Sequence, residues 1–540
     1  MSTKFFWVAL WVILPLLVAG QSFGSSGLAG ESLSNPTSLQ FGPDGRLYVS
    51  QQNGLVFVYD VARNGPNDYA VTATETIDLV QRIPNHNDDG TAHATVRRQV
   101  TGILVVGTPT APVLYVTSSD YRIGGGGSGA DKNLDTNSGV ISRLRRTASG
   151  WVKVDLVRGL PRSEQNHATN GLQLDATANV LYVAQGGHTN AGAPSNNFAF
   201  STEYALSGAI LSVDLTAIDA LPVQTDAVSS ETYIYDLPTL DDPTRPNVNG
   251  QDVGDPFGGN DGLNQARIVP GGPVQIHSPG YRNAFDVLLT EAGRLYTWDN
   301  GANAGWGGHP DGENTPTVTN NWVAGEPGSR GPGPNDAQVN NRDNLHLITG
   351  PGYYGGHPNP VRANPAGAGL FTNDQPGGEN GVFRTGVTAD PATSLPGDWP
   401  PLPVALTNPV EADFRNPGVD DGALFTIASS TNGLAEYRAD NFNGSLRGDL
   451  LAASFNGKIY RVRLNAAGTI DGPDDVVVFA ESFGANPLDL TALGTDDPFP
   501  GTVWAATYGA DNITVFEPDD YEEPVAACTG EDRADLDEDG

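Results

Sequence analysis

The segment His277–Gly308 reads HSPGYRNAFDVLLTEAGRLYTWDNGANAGWGG, and it indicates the fold of the whole chain. Apolar and polar side chains alternate from Phe285 to Leu289 and from Arg294 to Trp298, with the turn Glu291-Ala292-Gly293 between them. This pattern predicts a β-hairpin. The turn at Tyr281-Arg282-Asn283 and the Gly/Asn loop after the hairpin suit one pocket for an anionic, planar or metal-bound ligand. An ordinary turn with a solvated charge is the alternative.

The same pattern of strand, turn and strand occurs in five further segments. They are NPTSLQFGPDGRLYVS from Asn35, TGILVVGTPTAPVLYVTSSD from Thr101, NGLQLDATANVLYVAQGGH from Asn170, NGLAEYRAD from Asn432 with its partner GDLLAASFNGKIYRVRL, and NPLDLTALGTDDPFPGTVWAATYG from Asn486. Short antiparallel meanders cannot bury both faces alone, so repeated copies stack around an axis. The sequence predicts an all-β fold, a six-bladed β-propeller over residues 30–518.

Composition agrees with a turn-rich β protein, because the 540 residues include 67 Gly and 40 Pro and amphipathic helical runs are scarce. Long Gly/Pro/Asn-rich insertions occur around residues 220–275, 303–345 and 357–420. Loops of this length are usually functional or mobile, and in a propeller they would crowd one rim of the central channel. Passive decoration of the surface is the alternative.

The chain is strongly acidic, with 29 basic and 63 acidic residues and a formal charge of −34. This charge repels nucleic acid and anionic membranes and favours divalent cations. Because carboxylate and carbonyl oxygens dominate the available ligands, Ca²⁺ is the expected ion.

The two ends of the chain differ in composition from the rest. Residues 1–20, MSTKFFWVALWVILPLLVAG, combine one Lys, a short apolar run and small residues, as in a signal peptide; an uncleaved anchor is the alternative. We therefore expect a secreted or periplasmic protein without stable membrane insertion. Residues 519–540 form an acidic linker whose last residues, DLDEDG from Asp535, match the start of a truncated calcium-binding repeat, or else a disordered acidic tail.

Four motifs together resemble one known family. They are GYRNAFDVLLTEAGRLYTWDNGANAGWGG, NHATNGLQLDATANVLYVAQGGHTNAG, PGYYGGHPNP and GDLLAASFNGKIYRVRL. The chain resembles the soluble glucose/sorbosone dehydrogenases, six-bladed quinoproteins that bind pyrroloquinoline quinone (PQQ) and Ca²⁺. The resemblance implies an exported enzyme that oxidises a sugar or polyol hydroxyl by hydride transfer to PQQ and passes the electrons to an external acceptor.

The resemblance also implies catalytic residues. His167 matches the general base, and a histidine suits this role because its ordinary pKa lies near neutral pH. Arg282 and Asn283 match the pair that contacts the quinone oxygen, where a fixed positive charge stabilises developing negative charge. Gln99 is a further cofactor contact.

The implied metal ligands are backbone and loop groups. The carbonyls of Gly301 and Ala302 match the ligands of the cofactor's calcium, and Tyr354 matches a segment near a structural calcium, although Gly356 stands where the family has tryptophan. Separately, Asp131, Asn133, Asp135 and Asn137 alternate as in a calcium loop, with Ser142 in place of the final glutamate. An Asn/Asp turn without metal is the alternative.

Two cationic positions of the family are missing here. The lysine and arginines that would bind the carboxylates of PQQ are absent from Ser454–Gly457 and Ala485–Asp489. Each lost charge-assisted contact costs about 1.5–3 kcal/mol. Lys458, if it reaches inward, and Arg97 and Arg98 are the candidate replacements.

Two other functions remain open on the sequence. A non-catalytic secreted propeller would keep the fold for Ca²⁺-dependent binding of a protein or glycan, which the missing cations favour. A metal-dependent sugar-lactone hydrolase on a similar scaffold would need Glu, Asn and Asp ligands from several blades, and the strand ends do not supply such a cluster.

Overall fold

A computed structural model describes residues 21–124, 132–193, 195–199, 201–241, 264–308, 340–363, 400–428 and 430–524. The predicted signal peptide, Asp131, the end of the acidic tail from residue 525 and large parts of the three insertions lie outside these ranges. Among the helices within them, none is long and apolar enough to cross a membrane.

The described residues form six four-stranded antiparallel blades, as predicted. In chain order the strands are Pro36–Phe41, Leu47–Gln51, Val56–Gly65 and Asp68–Ile77 in blade 1; Arg98–Thr108, Ala111–Asp120, Gly139–Thr147 and Gly150–Leu160 in blade 2; Thr169–Asp175, Val180–Gln185, Ala209–Asp214 and Val274–Pro279 in blade 3; Ala284–Leu289, Leu295–Asp299, Asp343–Ile348 and Phe425–Ile427 in blade 4; Thr431–Glu436, Leu450–Ser454, Lys458–Val462 and Val476–Glu481 in blade 5; and Pro487–Ala492, Val503–Thr507, Asn512–Pro518 and Phe23–Ala29 in blade 6.

Short elements decorate the blades. They are the strands Asn85–His86, Ala92–His93, Gln224–Thr225, Thr232–Asp236, Thr239–Asp241 and Asn264–Ala266, the α-helices Leu215–Asp219 and Pro360–Ala363, and the 3₁₀ turns Asn196–Phe198, Val404–Leu406, Pro409–Ala412, Asn441–Gly444 and Pro473–Asp475.

The inner strands close into a ring, because each contacts the inner strand of the next blade and that of blade 6 contacts that of blade 1. The N-terminal strand Phe23–Ala29 pairs antiparallel with Asn512–Pro518 and so completes blade 6 with the chain's other end. The propeller therefore begins before residue 30, where the sequence placed its start. FGSSGLA has little apolar alternation, so only its pairing partner identifies it as a strand.

Each pair of neighbouring blades encloses its own cluster of buried apolar side chains. Between blades 6 and 1, Trp504 packs edge-on against Phe41 and Tyr69, with ring centroids 5.0 and 5.2 Å apart. Such aromatic pairs contribute about 0.5–1.5 kcal/mol beyond the burial of apolar area. The blades are thus stabilised face to face.

Two buried carboxylates tie inner strands together. Asp286 of blade 4 accepts the Leu434 N–H of blade 5 at 2.9 Å, and Asp489 of blade 6 accepts the Leu39 N–H of blade 1 at 3.1 Å. A Cβ on Gly171 would lie 2.3 Å from Asp286 Oδ1. A Cβ on the glycine of the Asn-Gly pair at the start of blade 5 would likewise clash with Asp489. These glycines are required by close approach.

Candidate functional site

One end of the channel opens into a cavity of about 170 Å³. Its walls come from the starts of inner strands and the ends of the strands that follow them, which an antiparallel hairpin brings to the same rim. Seven side-chain amides from the described residues line it: Gln52, Gln99, Asn166, Asn170, Asn283, Asn300 and Asn432. Among the described residues, no ionised side chain lines this cavity, and Arg282 lines a smaller, separate one.

His167 lies beside the mouth, buried, just before blade 3. Its Nδ1 is 2.8 Å from the carbonyl oxygen of Gly187. Because a carbonyl only accepts, Nδ1 carries the proton, and Nε2 makes no hydrogen bond with the described residues. Burial, and then the charge of Arg282, lower the pKa of His167 well below its ordinary value. The imidazole is therefore neutral, with Nε2 able to accept a proton.

Arg282 lies in a turn held by one carboxylate. Asp299 accepts the backbone N–H of Arg282 at 3.0 Å and that of Asn283 at 2.7 Å. The Arg282 Nε donates to Asn190 Oδ1 at 3.0 Å, and its two terminal nitrogens have no hydrogen-bond partner in the part of the chain that the structure describes. Burial lowers the pKa of Arg282 to about 10, so the guanidinium keeps its positive charge at neutral pH.

The structure brings His167 and Arg282 together, as the sequence predicted. Gly187 donates its N–H to the Arg282 carbonyl at 2.8 Å, while its own carbonyl accepts from His167. The ring of Phe198 lies 5.1 Å from the His167 ring and 5.9 Å from the Arg282 guanidinium carbon. A Cβ on Gly186 would lie 2.7 Å from the His167 Cβ, so the Gly186-Gly187 pair allows this close packing.

Asn283 is oriented by neighbouring amides. Its Oδ1 accepts from Asn170 Nδ2 at 3.1 Å, and its Nδ2 donates to Asn300 Oδ1 at 3.2 Å. Asn300 Nδ2 in turn donates to the Thr431 carbonyl at 2.9 Å. This chain of amides runs from blade 3 to blade 5 and gives Asn283 a single side-chain orientation.

Gly301 and Ala302 lie beside Arg282, around a cavity of about 20 Å³ that is close to the size of one water molecule. The Gly301 N–H donates to Asp343 Oδ1 at 2.9 Å, and the Ala302 carbonyl accepts from Asn341 N at 2.8 Å. Their role as calcium ligands stays a prediction. Within the described ranges, no three His, Cys, Asp or Glu side chains form a group that could hold a metal.

Tyr354 is buried, with its hydroxyl donating to the Asp413 carbonyl at 2.6 Å and the Arg415 guanidinium carbon 5.0 Å from its ring. The side chain therefore holds two loops together. A structural calcium near Tyr354 stays a prediction, and the hydroxyl already has a hydrogen-bond partner in the protein.

The candidate calcium loop is only partly described, since Asp131 lies outside the described residues. The Asn133 carbonyl accepts from Arg122, and Asp135 Oδ1 accepts the Asn137 N–H at 2.7 Å. Asn137 itself joins the loop to the strand Asn264–Ala266, because its Oδ1 accepts from Ala266 N at 3.2 Å and its Nδ2 donates to the Asn264 carbonyl. Asn137 thus has a structural role, and the metal site stays a prediction.

No family model and no curated protein matches the chain. Solved structures that match include the PQQ-bound form of an aldose sugar dehydrogenase from Streptomyces coelicolor, 14% identical, with a TM-score of 0.43 and coverage of 92% of this chain and 99% of that one. The structure resembles those of PQQ-dependent sugar dehydrogenases.

Two fungal structures belong to the same set of matches. The holo PQQ domain of a pyranose dehydrogenase from Coprinopsis cinerea is 12% identical, with a TM-score of 0.46 over 92% of this chain and 95% of that chain. The calcium structure of a carbohydrate-active enzyme of family AA12 from Trichoderma reesei is 14% identical, with the same TM-score and coverage. At these identities the likeness concerns the fold alone.

The candidate cations for a quinone's carboxylates are not in the mouth. Lys458 Nζ lies 3.0 Å from Glu481 on the outermost strand of blade 5 and is 34% exposed, which corrects the prediction that it contacts the cofactor. Arg98 is fully buried and donates to Asn85 Oδ1 at 2.9 Å, and Arg97 is exposed at the surface. Successive strand residues point to opposite faces, so Gln99, not Arg98, faces the mouth.

Gln99 lines the mouth, and its contact with a cofactor stays a prediction. Its Nε2 donates to the Asn166 carbonyl at 3.2 Å, and its buried Oε1 has no partner in the described part of the chain. The site also includes residues to which the sequence analysis assigned no role. Asn190 holds Arg282, Phe198 and Trp306 lie against its guanidinium, and Glu203 lies behind His167. Asn190 and Trp306 belong to motifs that carried the resemblance, and Phe198 and Glu203 do not.

Proposed function

We propose that the protein is a quinoprotein dehydrogenase that oxidises a hydroxyl group of a sugar or polyol by hydride transfer to PQQ, with Ca²⁺ as the accompanying ion. The observation that carries this proposal is the pairing of His167 and Arg282 beside one mouth of the channel. One has a bare Nε2, and the other has two guanidinium nitrogens without partners among the described residues.

The two side chains have complementary roles. His167 Nε2 accepts the hydroxyl proton of the substrate while the carbon of that hydroxyl loses a hydride and becomes a carbonyl. Arg282, held rigidly by Asn190 and Asp299, stabilises negative charge that develops on the acceptor's oxygen, and Asn283 presents an oriented amide beside it. PQQ bound in the mouth would supply the hydride acceptor.

The residues at the mouth fit PQQ in one half and hold it weakly in the other. Arg282 offers charge-assisted hydrogen bonds, and the unpartnered Gln99 Oε1 can accept one from a ligand N–H. On the side of blades 5, 6 and 1, amides and hydroxyls of Gln52, Asn432 and Tyr508 replace cations. Neutral hydrogen bonds contribute about 0.5–1.5 kcal/mol each, against about 1.5–3 for charged ones. We therefore expect binding at lower affinity than a cationic pocket would provide.

Location and partners complete the proposal. The signal-peptide-like composition of residues 1–20 supports an exported protein that works outside the cytoplasm. An external electron acceptor would reoxidise the cofactor, and the neutral, amide-rich mouth suits an uncharged polyhydroxylated substrate.

A second candidate function has one observation in its favour. The cavity of about 170 Å³ has no ionised side chain among its described lining residues, which would also suit a non-catalytic propeller that binds a glycan with Ca²⁺. Such a protein would have no use for the bare Nε2 of His167 or for the unpaired guanidinium beside it. We therefore give the dehydrogenase priority.

Cofactor loading separates the two functions. Purified protein is mixed with PQQ and Ca²⁺, and the absorption spectrum of bound cofactor and the oxidation of aldoses and polyols by an artificial acceptor are both measured, with His167→Ala as the matched control. We expect a bound spectrum in both proteins and a turnover that is about 10²- to 10⁴-fold lower in His167→Ala. Absence of bound PQQ at micromolar concentration, or equal turnover in the two proteins, would overturn the enzyme proposal.

A further inference from the structure

Glu203 is fully buried behind His167, in the segment that connects the second and third strands of blade 3. Its carboxylate accepts the His188 N–H at 3.0 and 3.1 Å, the Thr189 hydroxyl at 2.6 Å, the Ser207 hydroxyl, and His357 Nε2 at 2.9 Å. Burial opposes ionisation, but the hydrogen bonds from His357 and Ser207 help to outweigh it and lower the pKa of Glu203 well below its ordinary value. Glu203 is therefore a buried carboxylate anion.

One peptide group connects this anion to His167. The carbonyl of Gly187 and the N–H of His188 belong to the same planar peptide. Its N–H donates to Glu203, while its oxygen accepts the Nδ1–H of His167 at 2.8 Å. Hydrogen bonds in series polarise one another, so the negative charge on the N–H side makes the carbonyl a stronger acceptor.

We propose that Glu203 is a positioning residue for His167, acting through the Gly187–His188 peptide. It holds the imidazole in the Nδ1–H tautomer, with Nε2 bare, and stabilises the positive charge that appears on the ring when Nε2 takes a proton. This role rests on the proposed function of His167 as the base, although the hydrogen-bond chain itself does not.

The surroundings of His167 support this assignment. The charged and titratable groups that act on its ring are Arg282 before blade 4, His357 from the segment after blade 4's third strand, and Glu203. Arg282 and His357 disfavour a protonated ring, and Glu203 favours it. A Cβ on Gly187 would lie 3.0 Å from both the Arg282 carbonyl and Glu203 Oε1, so a glycine is needed for the peptide to lie between them.

The first test measures the hydrogen bond and the tautomer of His167 by NMR. In protein with ¹⁵N-labelled histidine at pH 7, the His167 signals are assigned by comparison with His167→Gln. In Glu203→Gln we expect a weaker Nδ1–H hydrogen bond, seen as an upfield shift of that proton, and a smaller fraction of the Nδ1–H tautomer. Asp155→Asn, which alters a buried carboxylate bonded to Ser142 in blade 2, should leave both signals in place.

A second variant should shift the His167 Nδ1–H signal in the opposite direction. Ser207→Ala removes one donor to Glu203 and leaves the contact with His188. With one competing donor fewer, the carboxylate should bind the peptide N–H more strongly and move the His167 Nδ1–H signal downfield. Signals that stay unchanged in a folded Glu203→Gln, or in Ser207→Ala if the first variant does not fold, would overturn the proposal whether or not the protein oxidises sugars.

The third test measures the steady-state kinetics of Glu203 variants. In PQQ-loaded protein, Glu203→Gln should lower kcat by roughly 10-fold, short of the 10²- to 10⁴-fold that a positioned base contributes, with KM little changed. The pH at which kcat/KM falls should move down, because the protonated imidazole loses a stabilising charge. Glu203→Asp, which keeps the charge, should recover part of kcat. An unchanged pH profile would overturn the positioning role of Glu203, whereas inactive wild-type protein would overturn only the proposed function.

Discussion

The two halves of the channel mouth differ in charge and in rigidity. On the side of blades 3 and 4, His167 and Arg282 are each fixed by buried partners, and ionised groups lie directly behind them. On the side of blades 5, 6 and 1, the lining consists of amides, hydroxyls and the apolar Phe455 and Leu488. The arrangement for proton and hydride chemistry is therefore separate from the arrangement that would hold an anionic cofactor, and each can be changed alone.

The largest expected effect is on the side of blades 3 and 4. His167→Ala should lower kcat by about 10² to 10⁴, the usual contribution of a positioned base, while PQQ affinity stays nearly the same. Arg282→Ala should lower both, because its charge serves the bound cofactor and the developing anion. Steady-state kinetics with an artificial acceptor and equilibrium PQQ titration measure the two quantities. A loss of PQQ affinity in His167→Ala would contradict the view that proton transfer and cofactor binding depend on separate halves of the mouth.

Calcium should stabilise the folded protein through groups near Arg282. Ligands such as the carbonyls of Gly301 and Ala302 come together only in the native fold, so binding adds RT ln(1 + [L]/Kd), about 2.7 kcal/mol at one hundred times Kd. The measurement is the melting temperature with Ca²⁺, with Mg²⁺ and with chelator. A melting temperature that chelator leaves unchanged would count against every metal site proposed for this chain.

Adding a cation to the neutral half should strengthen cofactor binding. Leu488→Lys places an ammonium group on the lining of the mouth, and one charge-assisted contact with a carboxylate is worth about 1.5–3 kcal/mol, or roughly a 10- to 150-fold lower Kd for PQQ. Leu488→Met is the matched control without charge. Equal affinities in the two variants would show that the cofactor's carboxylates lie elsewhere.

The smallest effect concerns Asp489, which lies deeper in the channel behind the neutral half. Burial raises the pKa of Asp489 to about 6, above its unfolded value of about 3.9, so the folded protein holds this proton more tightly. The free energy of unfolding therefore loses this contribution as pH rises from about 4 to about 6. Relative to wild type, Asp489→Asn should be more stable at pH 7 than at pH 4, by about 1–2 kcal/mol in chemical denaturation. A difference independent of pH would contradict this.

Much of the site was predictable because its residues lie next to strongly patterned strands. The hairpin Ala284–Leu289 and Leu295–Asp299 has the predicted bounds to within one residue, and it fixes where Arg282 and Asn283 lie. Gln99 and His167 likewise lie close to the starts of inner strands. The misplaced cations, Lys458 and Arg98, also flank predicted strands, but which face of a strand meets the channel depends on register.

The sequence by itself determined the six alternating hairpins and the polar residues at their ends, because alternation of apolar side chains is a local property that each strand carries in its own residues. Only the tertiary structure decided that Phe23–Ala29 closes the ring, that Lys458 pairs with Glu481, and that Glu203 reaches His167 through a peptide. These contacts join segments far apart in sequence or across a turn. The partners in these contacts are determined by how the blades pack around the channel, and a local sequence pattern carries no information about that packing.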